Sequence, residues 1–141
     1  MTERTNERRT KLLHHTPKTS LSVRTAQSSG MRRLAGISAD LSGSENIWMG
    51  EAHVSPGSRS EDHHHGESET AIYVVSGHPV FVFLNDNVES RIEAGPGDYV
   101  YVPPFVTHRE ENPSRDEEAV VVLARTTQEA IVVNVLLKPG N

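Results

Sequence analysis

Three histidines have the type and spacing to bind one metal ion, and a fourth lies between two of them. His63, His64 and His65 are consecutive and precede a predicted strand, and His108 follows another. Side chains alternate along an extended chain, so His63 and His65 project to one face while His64 points away. Two imidazoles from one strand cannot complete a coordination shell, and His108 is the candidate third ligand.

The amino-acid composition restricts the chemistry of such a site. The chain contains no cysteine, so a metal centre must use nitrogen and oxygen ligands. These ligands suit a centre that holds zinc, iron(II), manganese, nickel or copper, and they rule out a sulfur-rich structural site. For the histidine triplet alone, the alternative is a solvated surface loop without a ligand.

The elements that must position these histidines are predicted to be strands. Short apolar clusters rich in Val, Ile, Tyr and Phe are separated by Gly, Pro, Asn, Asp and Ser, and no apolar helical spacing persists over ten positions. The clusters span residues 47–49, 71–75, 80–84, 99–102, 120–124 and 131–137. Residues 85–87 are predicted to form a hairpin turn. The pattern indicates an all-β sandwich or barrel.

Charge divides the chain into two parts. Residues 1–33 hold eight Lys or Arg and two Asp or Glu, whereas residues 34–141 hold six and seventeen. We expect a disordered basic tail over residues 1–20 and one barrel domain over residues 21–141. The acidic domain lacks the clustered positive surface that nucleic acid requires. No apolar run approaches the roughly 20 residues of a membrane helix, so we expect a cytoplasmic protein with no membrane partner.

Two segments resemble the two sequence motifs of cupins, which belong to the RmlC-like cupin superfamily. The first motif is a glycine, five residues, His-x-His and a closing glycine, and it is matched by Gly57, His63, His65 and Gly77. The second is matched by Gly97, Pro103, His108 and Asn112, with Phe105 where the family has glycine. The resemblance implies a single jelly-roll barrel, the double-stranded β-helix, of the size of small bacterial single-domain cupins.

The resemblance also implies a divalent metal ion, with zinc favoured, held by His63, His65, Glu69 and His108. Glu69 departs from the family pattern: it follows His65 by three residues as expected, but seven residues instead of six separate it from Gly77. Either a bulge turns Glu69 inward, or the centre has three histidines with Thr70 and water beside them. We expect Glu69 to face the metal and to serve, with His53, as a proton carrier. An outer polar position is the alternative for His53.

An apolar pocket is expected beside the metal. Its expected lining is Trp48, Thr70, Tyr73, Phe81, Phe83, Tyr101 and Phe105. Core packing is the alternative for most of the aromatic side chains. The only cations near the motifs are Arg59 and Arg109, so the pocket suits an apolar or aromatic small molecule better than a phosphorylated one.

Three functions fit the resemblance. The first is a metal-dependent enzyme similar to the zinc monocupins that assist cyclisation of aromatic polyketides in bacterial secondary metabolism, with zinc as Lewis acid. The second is a non-haem iron dioxygenase, which would consume O₂. The third is a non-catalytic cupin that binds or senses a ligand. We also expect a homodimer formed through an N-terminal strand within residues 21–38.

Overall fold

The computed structural model describes residues 12–135, which form ten strands in two antiparallel sheets. The strands are β1 Met31–Ile37, β2 Trp48–Val54, β3 His63–His64, β4 Thr70–Ser76, β5 Val80–Asn85, β6 Val88–Glu93, β7 Tyr99–Val102, β8 His108–Glu111, β9 Ala119–Arg125 and β10 Val133–Asn134. Among these described residues, helical structure is limited to a 3-10 turn at Lys18–Ser20 and the single turn α1 at Ala39–Ser42. The first sheet has the order β1-β2-β9-β4-β7 and the second β10-β3-β8-β5-β6.

The two sheets pack face to face through one apolar core. Ile72 and Val74 of β4 and Val121 of β9 form one buried cluster with Phe81 of β5, and Val74 is 0% exposed. Buried and more exposed residues alternate along β2 and β4, as expected for strands that cover a core on one side. The predicted all-β barrel is confirmed.

The hairpin between β5 and β6 follows from its turn residues. Asn85 pairs with Val88, leaving a two-residue loop at Asp86 and Asn87, whose φ angles are 51° and 63°. Two consecutive left-handed residues define a type I′ turn, whose twist matches that of the flanking strands, and Asp and Asn tolerate this conformation. The turn predicted at residues 85–87 is therefore present.

The N-terminal region is only partly described. Of the tail predicted over residues 1–20, residues 1–11 lie outside the described residues, and no residue from 12 to 20 is buried. The segment expected to supply an N-terminal strand contains β1, an edge strand that pairs with β2. Within residues 12–135, no helix is long and apolar enough to cross a membrane.

Asn112 connects the end of β8 to two other parts of the barrel. Its side chain is 1% exposed, and its amide donates hydrogen bonds to the carbonyls of Val54 at 3.0 Å and Glu117 at 2.8 Å. Its side-chain oxygen accepts from the Ser114 N–H at 3.2 Å. The buried Asn112 side chain therefore links the end of β8 to the end of β2 and to the loop before β9.

The loop from β7 to β8, which positions His108, contains a residue in an unfavourable conformation. Phe105 has a φ of 63°, its N–H donates to the Gly66 carbonyl at 2.8 Å, and its side chain is 64% exposed. The left-handed region brings Cβ close to the following carbonyl oxygen, which costs roughly 1–2 kcal/mol for a residue other than glycine. This geometry explains why the cupin motif has glycine at the position.

We expect Phe105→Gly to increase the free energy of unfolding by about 1 kcal/mol, because glycine adopts a positive φ without strain but loses more chain entropy on folding. Urea denaturation of the metal-free protein measures the change. Phe105→Ala is the matched control: it removes the same ring but keeps Cβ, and it should not stabilise the protein. Equal stabilisation by both variants would assign the effect to the exposed ring instead of the backbone.

Candidate metal centre

Neighbouring strands bring three imidazoles together. His63 lies on β3 directly opposite His108 on β8, and His65 follows β3. Residues opposite each other in a sheet share a face, as do residues two apart in a strand. One ring nitrogen from each of the three side chains lies within 4.8 Å of the other two. His63 and His108 are 8% and 3% exposed, and His65 is half-buried.

Backbone carbonyls fix the orientation of all three rings. Each Nδ1 lies within hydrogen-bond distance of one carbonyl oxygen. The carbonyls belong to Glu61, Ile131 and Val106, at 2.6, 2.9 and 3.1 Å from His63, His65 and His108 respectively. A carbonyl can only accept, so each Nδ1 carries the proton and donates it, and each Nε2 keeps a free lone pair. Hydrogen bonds of this kind orient metal-binding histidines.

The Nε2 atom of His108 has no hydrogen-bond partner. It is the one buried side-chain nitrogen or oxygen among residues 12–135 without one. An unsatisfied buried acceptor is destabilising, so such atoms in native structures call for an explanation. A metal ion bound to the three Nε2 lone pairs would satisfy this atom, and the donor set therefore fits a metal ion.

Burial keeps two of the imidazoles neutral. Desolvation lowers the pKa of His65 and of His108 to about 4, in each case against an opposing hydrogen bond to a carbonyl, and the charge of His63 lowers both further. Glu110 partly offsets the effect at His65. Metal ions bind unprotonated imidazole, so these ligands stay in the binding form well below neutral pH.

We expect the metal-free protein to lose stability as the pH falls from about 6.5 towards 4. In this window the unfolded chain protonates His65 and His108 at their ordinary pKa, whereas the folded protein does not. For a pKa near 4 in the folded state, each histidine costs on the order of 2 kcal/mol at pH 5 relative to pH 7.5. Urea denaturation in a chelator at the two pH values measures the loss.

His108→Gln controls for the acidic residues that also titrate. This variant lacks one of the two groups, so its loss of stability between pH 7.5 and pH 5 should be smaller by about 2 kcal/mol. An identical pH dependence in both proteins would contradict a buried neutral His108.

Glu69 does not reach the histidine group, and this corrects the sequence-based expectation. Its side chain is exposed on the outside of the barrel, where its carboxylate accepts a hydrogen bond from the Tyr101 hydroxyl. The next residue, Thr70, is buried and lines the central cavity. Since consecutive strand residues face opposite sides, inward Thr70 places Glu69 outward. The group that could bind a metal consists of three histidines.

His53 also lies outside the cavity, so its expected role as a proton carrier there is not supported by its position. It is on the outer face of β2 between inward-facing Ala52 and Val54. Its ring nitrogens lie 2.9 Å from a carboxylate oxygen of Glu51 and 3.2 Å from one of Glu118. His53 therefore has the outer polar position that was the alternative.

A cavity of about 430 Å³ lies between the sheets beside the histidines. Thr70, His63 and His65 contribute to its wall, and no Phe, Tyr or Trp of residues 12–135 does. Its apolar lining is aliphatic and includes Ile72, Val102, Val121, Leu123 and Ile131. The predicted aromatic pocket is thus an aliphatic one.

The predicted aromatic residues do not line the cavity. Trp48 is buried beneath the guanidinium of Arg125, and Phe81 belongs to the central core. Phe83 is half-buried opposite His108 on β5. Tyr73, Tyr101 and Phe105 are exposed.

Five charged residues within 12–135 line the cavity, and only Arg59 among them was expected near the motifs. Arg33, Arg59 and Arg125 contribute to the wall, as do Glu61 and Glu110. Strand alternation was a usable signal for two of them, because Glu110 is two residues from His108 and Arg125 is two from Leu123. Arg109, which was considered, instead contacts the carboxylates of Asp62, Glu89 and Glu111.

Fold and site together define an antiparallel β-barrel with a three-imidazole centre, two of whose histidines line a cavity between the sheets. The sequence profile of the cupin domain matches residues 50–124, more than half of the chain. The chain therefore belongs to the cupin family. No protein with a curated functional description matches the sequence.

Solved structures show the same fold. The polyketide cyclase RemF from Streptomyces resistomycificus is similar over 90% of this chain and 88% of its own, with a TM-score of 0.72 and 21% identity. An oxalate decarboxylase from Bacillus subtilis is similar over 79% of this chain, with a TM-score of 0.67 and 26% identity. One from Lactobacillus farciminis is similar over 80%, with values of 0.66 and 20%. The match covers 29% and 33% of the two decarboxylase chains.

Proposed function

We infer that the protein is a zinc-dependent cupin that acts on a small, largely apolar metabolite in a cyclase-type reaction. The observation that carries this inference is the convergence of three imidazoles beside a cavity, each ring oriented through Nδ1 by its own carbonyl so that Nε2 is left free. The metal ion would supply Lewis acidity, polarising a carbonyl oxygen of the substrate.

The donor set supports zinc over manganese. All three donors are neutral imidazoles, and the carboxylate expected to join them, Glu69, lies outside the barrel. Zinc is commonly bound by three imidazoles with an open fourth position, whereas manganese prefers sites rich in oxygen ligands.

The cavity wall supports the class of substrate. The aliphatic side chains around the histidines suit a hydrocarbon or polyketide body, and the volume of about 430 Å³ is that of a small-molecule site. The match to RemF over nearly the whole length of both chains adds support for a cyclase-type reaction.

Glu110 is the proposed proton acceptor. Glu110 contributes to the cavity wall, and its charge lies close enough to His65 to raise the pKa of that imidazole. Glu110 therefore replaces Glu69 and His53 as the group that would exchange a proton with a bound substrate.

Metal analysis tests the proposal. Protein purified without added metal should contain about one zinc per chain, and a cobalt-substituted sample should show the visible absorption of tetrahedral nitrogen and oxygen coordination. Stoichiometric iron with O₂ uptake would favour a dioxygenase instead. Ligand binding with no bound metal at all would favour the non-catalytic cupin.

We also propose a homodimer. The outer face of the first sheet exposes Met49, Tyr73, Val75, Tyr99 and Tyr101, and this face is the proposed contact, because the free side of β1 is already bonded to Ser22 and Gln27 of the same chain. Exposed apolar clusters of this kind are typical of interaction surfaces. Light scattering should give twice the chain mass of 15.6 kDa, and a mass of 15.6 kDa at all concentrations would contradict the dimer.

A further inference from the structure

Two arginines project from the first sheet into the cavity. Arg33 shares its face of β1 with buried Met31 and Ala35, and Arg125 shares its face of β9 with buried Val121. Both contribute to the wall of the cavity that also contains His63 and His65. A ligand in this cavity therefore has access to the histidines and to both guanidinium groups.

Neutral groups hold the two guanidiniums in position. Arg125 donates to the carbonyls of Thr127 at 3.0 Å and Gln128 at 2.8 Å, and it stacks 4.0 Å from the centre of the Trp48 ring. Arg33 donates to the Ser28 hydroxyl at 3.0 Å and more weakly to the Ala26 carbonyl. These bonds use only part of the five donors that each guanidinium has.

Neither arginine is neutralised by a nearby carboxylate. Within residues 12–135, no Asp or Glu oxygen lies within 4.0 Å of either guanidinium. Arg109 on the outside of the barrel contrasts with them, since it contacts three carboxylates. Burial and the nearby charge of Arg33 lower the pKa of Arg125 to about 10, so it stays charged at neutral pH while lacking a counterion. Partly buried charges are normally paired.

We propose that the ligand of the cavity is an organic anion whose carboxylate binds Arg125 and Arg33 while its apolar body contacts the aliphatic wall. This assignment deepens the proposed function, on which it rests, by naming the charge of the substrate. Arg125 is the main contact, because stacking on Trp48 and the two carbonyl bonds fix its planar fork for bidentate binding of a carboxylate. Glu61 and Glu110 also contribute to the wall of this cavity, and their negative charges disfavour a dianion.

A matched pair of probes tests the charge of the ligand. 1-Naphthoate and its neutral isostere 1-naphthamide, together with the smaller benzoate, are titrated calorimetrically into metal-free protein. Metal-free protein is used because a metal ion could itself bind the carboxylate. We expect the wild-type protein to bind naphthoate at least tenfold more tightly than naphthamide.

Arginine variants then locate the carboxylate. Arg125→Gln and, independently, Arg33→Gln should each weaken naphthoate binding about tenfold or more and leave naphthamide binding unchanged. Arg125→Lys keeps the charge but not the bidentate geometry and should lie between wild type and Arg125→Gln. Arg91→Gln, on the outer side of the second sheet next to Glu111, is the matched control and should change nothing. Because Arg125 also supports a turn, thermal denaturation must show that each variant is folded, and Arg33→Gln tests the site if Arg125→Gln does not fold.

Three results would overturn the anion site. The first is equal affinity for naphthoate and naphthamide. The second is unchanged naphthoate binding in both Gln variants. The third is no binding of naphthoate or benzoate at millimolar concentration, and any one of these results is sufficient. The proposed function fails separately: if zinc does not bind but naphthoate binding depends on the arginines, the anion site stands without the metal centre. If zinc binds and the arginines have no effect, the metal centre stands and the anion site does not.

Discussion

Replacing His108 with alanine should abolish stoichiometric zinc binding and leave the metal-free protein folded. Loss of one of three ligands should weaken zinc binding by well over a hundredfold, since removing only an outer partner of a ligand costs about 10–100-fold. The fold should survive, because the imidazole that is removed carries a buried Nε2 without a partner. His63→Ala should have the same effect on the metal.

Two measurements separate metal binding from folding. Isothermal titration gives the affinity directly. Thermal denaturation gives the stabilisation by zinc, which at 100 times the dissociation constant is about 2.7 kcal/mol for a protein that binds only when folded. Both signals should disappear in His63→Ala and His108→Ala.

His64→Ala is the control, because its Nδ1 instead accepts a hydrogen bond from the Gly66 N–H and it is not in the three-histidine group. Zinc binding that survives in His108→Ala, or that is lost equally in His64→Ala, would contradict the proposed centre.

Replacing Asn112 with alanine should produce the largest loss of stability. The substitution removes three hydrogen bonds and leaves the Val54 and Glu117 carbonyls without their amide partner. A buried polar group left unsatisfied costs about 1–3 kcal/mol, so we expect a loss on the order of 4 kcal/mol in the free energy of unfolding. Urea denaturation of metal-free protein measures it, and the slope of the transition should stay unchanged.

Asn46→Ala is the matched control for that substitution. Asn46 is exposed in the loop before β2, and exposed positions of this kind usually change stability by less than about 0.5 kcal/mol. A loss below about 1 kcal/mol for Asn112→Ala would show that water replaces its hydrogen bonds and that Asn112 does not hold the connection from β8 to β9.

The strands and the histidine group could be predicted because each rests on local chemistry. The alternation of His63 and His65 fixes their common face, and the second cupin motif identifies His108. The choice between Glu69 and Thr70 could not be made from spacing, because a shift of one residue at the start of β4 reverses the face of every side chain. The structure starts β4 at Thr70 and turns Thr70 inward.

The lining of the cavity was harder to predict than the metal ligands. Along β7, Tyr99 and Tyr101 alternate with Val100 and Val102, and both sets are apolar enough to face a core. The smaller valines face inward and the tyrosines face outward, where their hydroxyls reach solvent or Glu69. Arg125 was missed for a different reason: a charged residue at the end of a strand normally points to water.

The carbonyl of Ile131 orients His65. This contact would couple the stability of the segment around β10 to metal binding. Val133 and Asn134 pair with β3, so the same short segment holds both the backbone beside His63 and the ring of His65. Linkage between the two is reciprocal. If pairing of this segment with β3 increases the affinity of the histidines for a metal ion, then a bound metal ion stabilises the segment against local opening by the same free energy. The rate of amide hydrogen exchange in the β10 segment would therefore report whether a metal ion is bound at the three histidines.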